Sequence, residues 1–527
     1  MDVLLTAAGL RMNHINFAAV ITALAHIWEV AQRNGRFRAH AGTSEKLEVL
    51  HQRYVQSLHP LLADMAAQEF STVLWSSAKL GFNPDTAVPG MVYDMTLRFL
   101  KLTDVVEEKQ LPNSQECANL LWALATMGHS AATAEVVDSL CLRFASLTRH
   151  ADTKQRPNAQ EAANVLWPLA TMGHPAAAEV LDSVTTHFAH LVGSPNVKQR
   201  PDAQAVSNVV WALGTLKPTP DDDRLLGLFF AYMHTMLQSQ DQRGRPNAQS
   251  IANTLWALKE LKHAPSNAVV SAMLAHLVVL CQTSGLQPTS QGISNCLFAC
   301  AELRLSVRSV CVKALLKHLI EMDVSRVERQ SYCNVAWSLA VMGCLTISTF
   351  DALLCQMSAK GAFGQLLLSD KRQLHQALVW LKPASASQQV EAWSSLHSRL
   401  QAVAPEPSTT KLKVPGQSEL WAALALHSVS YKVQVPCGAY QADAVLSPCR
   451  SPGADVVVMV ERPQEVTTNV PSRVLGHVAF RNSMLARYGT VVTVPYSRGT
   501  SNAESMAGDI KALVEAKTGL PLDSFQR

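Results

Sequence analysis

Charge is scarce in this chain: Lys, Arg, Asp and Glu make up 16% of 527 residues, and the balance is only +4. So weak a net charge does not hold a polyanion by bulk attraction, and any contact with phosphate has to come from local placement of cations. Long apolar runs are missing as well. The stretch from residue 1 to 30 is apolar but broken by Arg11, Asn13, His14 and Asn16, so it does not read as a membrane span, and no other segment reaches the necessary length. The same stretch lacks the basic region and cleavage pattern of a secretory signal and is unlike an Arg- and Ser-rich transit peptide. The eleven cysteines form no CxxC pair, there is no HExxH, and no Cys/His cluster has zinc-ligand spacing. Neither a metal nor any other cofactor is expected. Cys117, Cys296, Cys300, Cys333 and Cys344 stand where sister segments put Ala, Leu or Gly, which reads as small core residues in a reducing compartment.

What the chain has is a repeat. A Gln is followed four residues later by Asn and three after that by an aromatic residue, in six copies: Gln115/Asn119/Trp122, Gln160/Asn164/Trp167, Gln204/Asn208/Trp211, Gln249/Asn253/Trp256, Gln291/Asn295/Phe298 and Gln330/Asn334/Trp337. Successive Asn residues lie 45, 44, 45, 42 and 39 apart, and Gln68/Thr72/Trp75 is a weaker earlier copy. Five of the six copies have a start signal, a Pro followed by Asn113, Asn158, Asp202, Asn247 or Thr289, and in two copies Glu116 and Glu161 complete a capping box. Gly128, Gly173 and Gly343 mark stops. A second apolar stretch follows each first helix, so the unit is an antiparallel helix pair whose A helix carries the motif. Pro168 should kink or shift its A helix.

Leu121 and Leu124, like Leu166 and Leu169, recur at helical spacing and need neighbours on both sides to be buried. The fold expected is therefore mostly α, a right-handed-type α-solenoid of paired antiparallel helices followed by a small α/β domain. Residues 1–65 form a helical N-terminal region with a degenerate repeat as one reading, 66–360 the array, 361–401 a helical cap, 402–417 a Pro- and Ser/Thr-rich linker and 418–527 the α/β domain.

The Gln/Asn pairs read as an internal polar seam and the aromatics as inter-repeat core. Two other sets are candidate ligand contacts. Lys154, Arg156, Lys198, Arg200, Arg243 and Arg245 recur just before successive A helices, where a row of cations can track a phosphate backbone. Glu116, Glu161, Ala205, Ser250, Gly292 and Ser331 vary between otherwise similar copies, as positions that read different bases must.

In the last hundred residues the period changes. DVVVMVE, residues 455–461, reads as a buried central strand, PSRVLGHVAFRNSMLARYG as a helix, TVVTVPY as a second buried strand and ESMAGDIKALVEAKTG as a final helix.

On Tyr440 and Asp443, Glu461, Leu475-Gly476, Arg481 and Leu485, Tyr488-Gly489 and Tyr496, this module resembles the RAP domain, an RNA-binding domain abundant in apicomplexans. SIANTLWALKELK from Ser250 and CANLLWALATMG from Cys117 resemble the octotricopeptide-type repeats of green algae. The resemblance implies a factor of organellar gene expression that binds single-stranded RNA in a chloroplast or mitochondrion, in transcript stability, processing, splicing or translation, alongside other proteins of a ribonucleoprotein complex. The alternatives are a structural subunit of an organellar ribosome and a metal-dependent RNA endonuclease. For the latter Asp443 and Glu461 are remote carboxylate candidates, but no lysine accompanies them and the chain is not expected to be an enzyme. Arg462, Arg473, Arg481, Arg487 and Arg498, with Tyr496, would make a cationic face for RNA instead.

Overall fold

The computed structural model describes residues 13–33, 41–103, 111–128, 134–217, 223–241, 244–359, 366–381, 416–448, 455–470, 473–497 and 501–526. Arg243, Arg498 and nearly all of the expected 402–417 linker lie outside them. Two compact units divide between Pro246 and Asn247.

The first unit contains α1 (His14–Arg33), α2 (Ala41–Leu58), α3 (Ala67–Leu80), α4 (Met91–Thr103), α5 (Ser114–Thr126), α6 (Ala134–Thr148), α7 (Ala159–Met172), α8 (Ala178–Val192), α9 (Ala203–Leu216) and α10 (Asp223–Gln238). The A helices α1, α3, α5, α7 and α9 pack in succession, the B helices α4, α6, α8 and α10 form a parallel layer, and from α3 to α10 each A helix packs on the B helix that follows it. This is a solenoid-like stack of helix pairs. Leu74, Phe99, Leu120, Phe144, Phe188 and Phe229 are fully buried between the layers. Phe188 and Phe229 meet edge to face at 5.5 Å, joining α8 to α10.

The caps form as expected. Asn113 and Asn158 accept from the N–H groups of Glu116 and Glu161, both at 2.9 Å, and each Glu returns the bond to its own cap residue. Asp202 caps Ala205 in the same way at 2.7 Å. Losing such a cap costs roughly 1 kcal/mol. The small residues before each Asn, Ala118, Ala163 and Ser207, are buried, as close helix approach requires. Pro168 lies inside α7, which continues through it to Met172.

The second unit repeats this plan with α11 (Ala248–Glu260), α12 (Asn267–Cys281), α13 (Ser290–Glu302), α14 (Ser309–Glu321), α15 (Arg329–Val341), α16 (Ile347–Ala359) and α17 (Leu368–Leu381). Its A helices α11, α13, α15 and α17 pack in succession, with α12, α14 and α16 behind them. Here too Asn247 and Thr289 cap their helices. Most cysteines are buried, and burial pushes the Cys300 thiol up to about 12. Cys344 departs from expectation: it is exposed, because it sits in the turn after the left-handed Gly343.

The stop slot nine residues after each Asn is left-handed in every copy. Glycine occupies it at Gly81, Gly128, Gly173 and Gly343, but Lys217, Lys262 and Arg304 adopt the same conformation with φ of 48°, 53° and 51°. A side chain there costs about 1–2 kcal/mol, so the packing of the pair, and not glycine, sets the turn.

A small α/β module closes the second unit: α18 (Gln417–Leu426), β1 (Tyr431–Cys437), β2 (Tyr440–Leu446), β3 (Val456–Glu461), α19 (Gly476–Leu485), β4 (Thr490–Pro495) and α20 (Ala503–Thr518). The sheet order is β1-β2-β3-β4, antiparallel except for the β3/β4 pair, with Val456 opposite Thr490. β3 is buried on both faces: Val456, Val458 and Val460 join a core with Leu420, Ile510 and Val514, while Val457 and Met459 pack with Leu485 on the other side. The expected helix over 471–489 is shorter. Thr467 N–H donates to Arg473 carbonyl and Leu475 N–H to Glu465 carbonyl, so the chain before Gly476 pairs as an extended segment.

The module packs on the A helices of its own unit. Asn469 brackets Ala264, accepting its N–H at 2.8 Å and donating to its carbonyl at 2.7 Å. Glu302 accepts the His477 N–H at 3.0 Å, so α13 supplies a carboxylate to the N-terminus of α19. Gly476 is required there, because a Cβ would stand 2.1 Å from the Ala301 carbonyl oxygen. Among the described residues no helix is long and apolar enough to cross a membrane.

Candidate functional site

The repeated motif faces outward. Gln115, Gln160 and Gln204 are exposed, and Asn119, Asn164, Asn208, Trp122, Trp167 and Trp211 are half-buried along the A helices of the first unit. In the second unit Gln249, Gln291 and Gln330 are exposed, and Asn253, Asn295 and Asn334 half-buried. Among the described residues no side-chain hydrogen bond joins any of these twelve amides to the protein. The expectation of an internal seam is thus corrected. An i,i+4 spacing puts Gln and Asn on one face, but the buried face of each A helix is already filled by Leu, Val and Ala.

The aromatics pack between copies as expected, but most of them are half-buried and not enclosed. Only Trp337 is buried, and its indole N–H donates to Gln376 at 2.8 Å. Rings of neighbouring copies form tiers: Trp75 and Trp122 at 6.4 Å, Trp167 and Trp211 at 6.4 Å, Phe298 and Trp337 at 4.9 Å. Lys79 lies over both Trp75 and Trp122, and Lys259 over both Trp256 and Phe298. A ladder of unengaged amides beside partly open rings is suited to a ligand that offers flat faces and hydrogen-bonding edges.

In the second unit the ladder encloses a cavity of about 350 Å³ lined by Lys259, Gln291, Asn295, Phe298, Gln330 and Asn334. Gln373 of α17 also lines it, and its Oε1 is buried without a hydrogen-bond partner. Gln373 belongs to a copy that the Gln/Asn/aromatic pattern does not reveal: Ala377 takes the Asn slot, and Trp380 follows Gln373 by the same seven residues that separate Gln115 from Trp122. The Gln-to-aromatic separation was the available signal.

The loop cations have internal work. Arg156 Nε–H donates to His150 carbonyl, Arg200 to Ser194 and Arg245 to Ser239, each reaching six residues back to close the loop before an A helix. Arg245 is half-buried and also commits Nη2 to Ser239, while Arg156 and Arg200 are exposed. Lys154 and Lys198 are exposed. A second clasp recurs behind them: Arg143, His187 and Tyr232 of successive B helices donate to the carbonyls of Pro112, Pro157 and Pro201. Three residue types fill one slot, which left no motif to find.

The variable positions turn toward neighbouring helices. Glu116 and Glu161 are spent on their caps, and Glu161 also accepts from Ser114 of the preceding A helix at 2.9 Å. Burial raises the Glu116 pKa, its backbone bond to Asn113 opposing this. Ala205, Ser250 and Ser331 are buried, and a Cβ at Gly292 would lie 3.6 Å from that of Ala252. Variation here tracks packing between copies.

Among the described residues the arginines of the α/β module are not gathered as a cationic face. Glu465, itself buried, pairs with Arg462 at 3.4 Å and Arg481 at 3.1 Å. Arg487 donates to the Val379 and Trp380 carbonyls of α17. Tyr496 is buried in the core, and Arg473 is half-buried. Asp443 lies within β2, where it accepts from Val460 N–H at 2.8 Å and from Gln417. Glu461 is half-buried, its pKa raised by burial and by Glu465. Among the described residues no three His, Cys, Asp or Glu side chains gather to hold a metal ion. No protein-family model matches the chain, and no curated protein matches it in sequence.

Proposed function

We propose that this chain binds single-stranded RNA along the Gln/Asn/aromatic ladder of its A helices. The observation that carries the reading is the set of twelve amides with no hydrogen-bond partner among the described residues, repeated beside half-buried rings. A repeating polymer of planar, hydrogen-bonding units is the ligand class that a repeating row of such groups fits. Base stacking on aromatic rings contributes about 1–3 kcal/mol per base and tolerates any base, and a uniform amide row adds contacts with little sequence preference. Selectivity then comes from the places where the ladder is not uniform, at Lys79 and Lys259 over its rings and at Ala377 in an Asn slot.

The motif resemblance to octotricopeptide-type repeats and the RAP domain supports the same reading and points to RNA metabolism in a chloroplast or mitochondrion. The α/β module serves in this account as a brace, because its arginines are engaged within the second unit.

The test is RNA binding by the full chain carrying Gln291→Ala, Asn295→Ala, Gln330→Ala and Asn334→Ala together. Affinity for a single-stranded RNA oligomer should fall at least about tenfold, with crosslinked peptides of the unaltered protein mapping to α11, α13 and α15. Unchanged affinity, with crosslinks confined to other elements, would remove the ladder from the account.

A further inference from the structure

Two loops of the first unit enclose a basin that the ladder does not explain. Its walls are the segment after α6, the C-terminal half of α8 and the segment before α9, and its volume is about 1270 Å³. Arg149, Arg156, Lys198 and Arg200 line it against two carboxylates, Asp182 and Asp202. Asp202 is already committed as a helix cap, and Arg149 makes one exposed ion pair with Glu179 at 3.5 Å. His187, also lining the basin, donates to Pro157 carbonyl, and burial lowers its pKa while that bond opposes the shift. The N-termini of α7 and α9 open on the same space.

The loop clasp gives this arrangement its use. Arg156 and Arg200 are each fixed by Nε on a carbonyl of their own loop, which holds the guanidinium in place before a ligand arrives and reduces the ordering cost of binding. Gln160 belongs to the basin and to the ladder at once. The two surfaces are therefore continuous, the ladder offering amides and rings, the basin fixed positive charge.

We propose that the basin is a phosphate subsite, which receives phosphodiester groups of the same RNA strand whose bases lie on the adjoining ladder. This rests on the RNA-binding reading above. Charge and flat-surface recognition are thereby divided between two neighbouring places, so that they separate in a salt titration.

The test uses the full chain and a random-sequence single-stranded RNA oligomer. Arg149→Gln with Lys198→Gln removes two basin cations while leaving both loop clasps intact. Removing one cation that neutralises a phosphate should lower the slope of log affinity against log salt by about 0.7, so the double variant should lose about 1.4 in slope and about 25-fold in affinity near 0.1 M salt. Arg149→Lys with Lys198→Arg should restore the slope. Lys313→Gln with Lys317→Gln on α14 removes the same net charge elsewhere and should leave the slope unchanged. A basin variant indistinguishable from that control overturns the subsite while RNA binding stands. Ladder variants that keep full affinity while the basin variant loses slope sink the ladder and keep the basin. Failure of the unaltered chain to bind RNA ends both.

Discussion

The Gln and Asn amides of the A helices and the arginines of the C-terminal module differ in whether the protein itself uses them. By residue type alone the arginines are the better candidates for a nucleic-acid contact and the amides the better scaffold. The structure reverses the order: Arg462 and Arg481 close on Glu465, Arg487 on two carbonyls of α17, and the amides meet no partner among the described residues. A polar group becomes available to a ligand when the fold leaves its bonding capacity unfilled, and formal charge does not report that.

The sharpest way to break this comparison is at the carboxylate that consumes the arginines. Glu465→Ala leaves two largely buried guanidinium groups without their counter-charge and should destabilise the second unit by about 3–5 kcal/mol, read from the denaturation midpoint. A loss below about 1 kcal/mol would mean that those arginines are solvated and open to ligands after all.

The interior of the first unit supplies a matching case. His51 is buried against Ser77 at 2.9 Å, and burial lowers its pKa to about 4. In the unfolded chain it titrates near 6.5, so between those values the unfolded state binds the proton and the folded state does not. Stability is complete above pH 6.5 and falls as the pH drops toward about 4, by on the order of 3 kcal/mol in all. His51→Gln should flatten that slope in pH-dependent denaturation, and an unchanged slope would assign it to another group.

A smaller effect sharpens the role of the pair geometry. Arg304→Gly relieves the left-handed stop of α13 and should stabilise the chain by about 1 kcal/mol, raising the thermal midpoint. Destabilisation instead would show that the side chain, not the turn, matters there. The smallest stability change is expected on the ladder: Gln204→Ala with Asn208→Ala should shift stability by no more than about 0.5 kcal/mol while weakening RNA binding. A loss of several times that would return these amides to the scaffold.

The helix pairs, their caps at Asn113, Asn158, Asp202, Asn247 and Thr289, and the buried central strand at Val456–Glu461 were legible in the sequence. These depend on hydrogen bonds and apolar periods within a few residues of one another. The copy at Gln373 was missed, because Ala377 holds its Asn slot and only the Gln-to-aromatic spacing marks it. The direction of the ladder was not legible. Periodicity shows that Gln115 and Asn119 share a face, but which face is buried depends on where the preceding and following helices lie.

From the sequence alone come the antiparallel pair as the repeating unit and the place where each A helix begins, because capping and apolar stripes are local. Tertiary packing alone decided that Lys217, Lys262 and Arg304 take a glycine's conformation, that the variable Ser250 and Ser331 are buried, and that Asn469 and Gly476 lock the α/β module to Ala264 and Ala301. Those outcomes depend on which distant groups come within bonding distance, and a single chain read in order carries no record of distance between its parts.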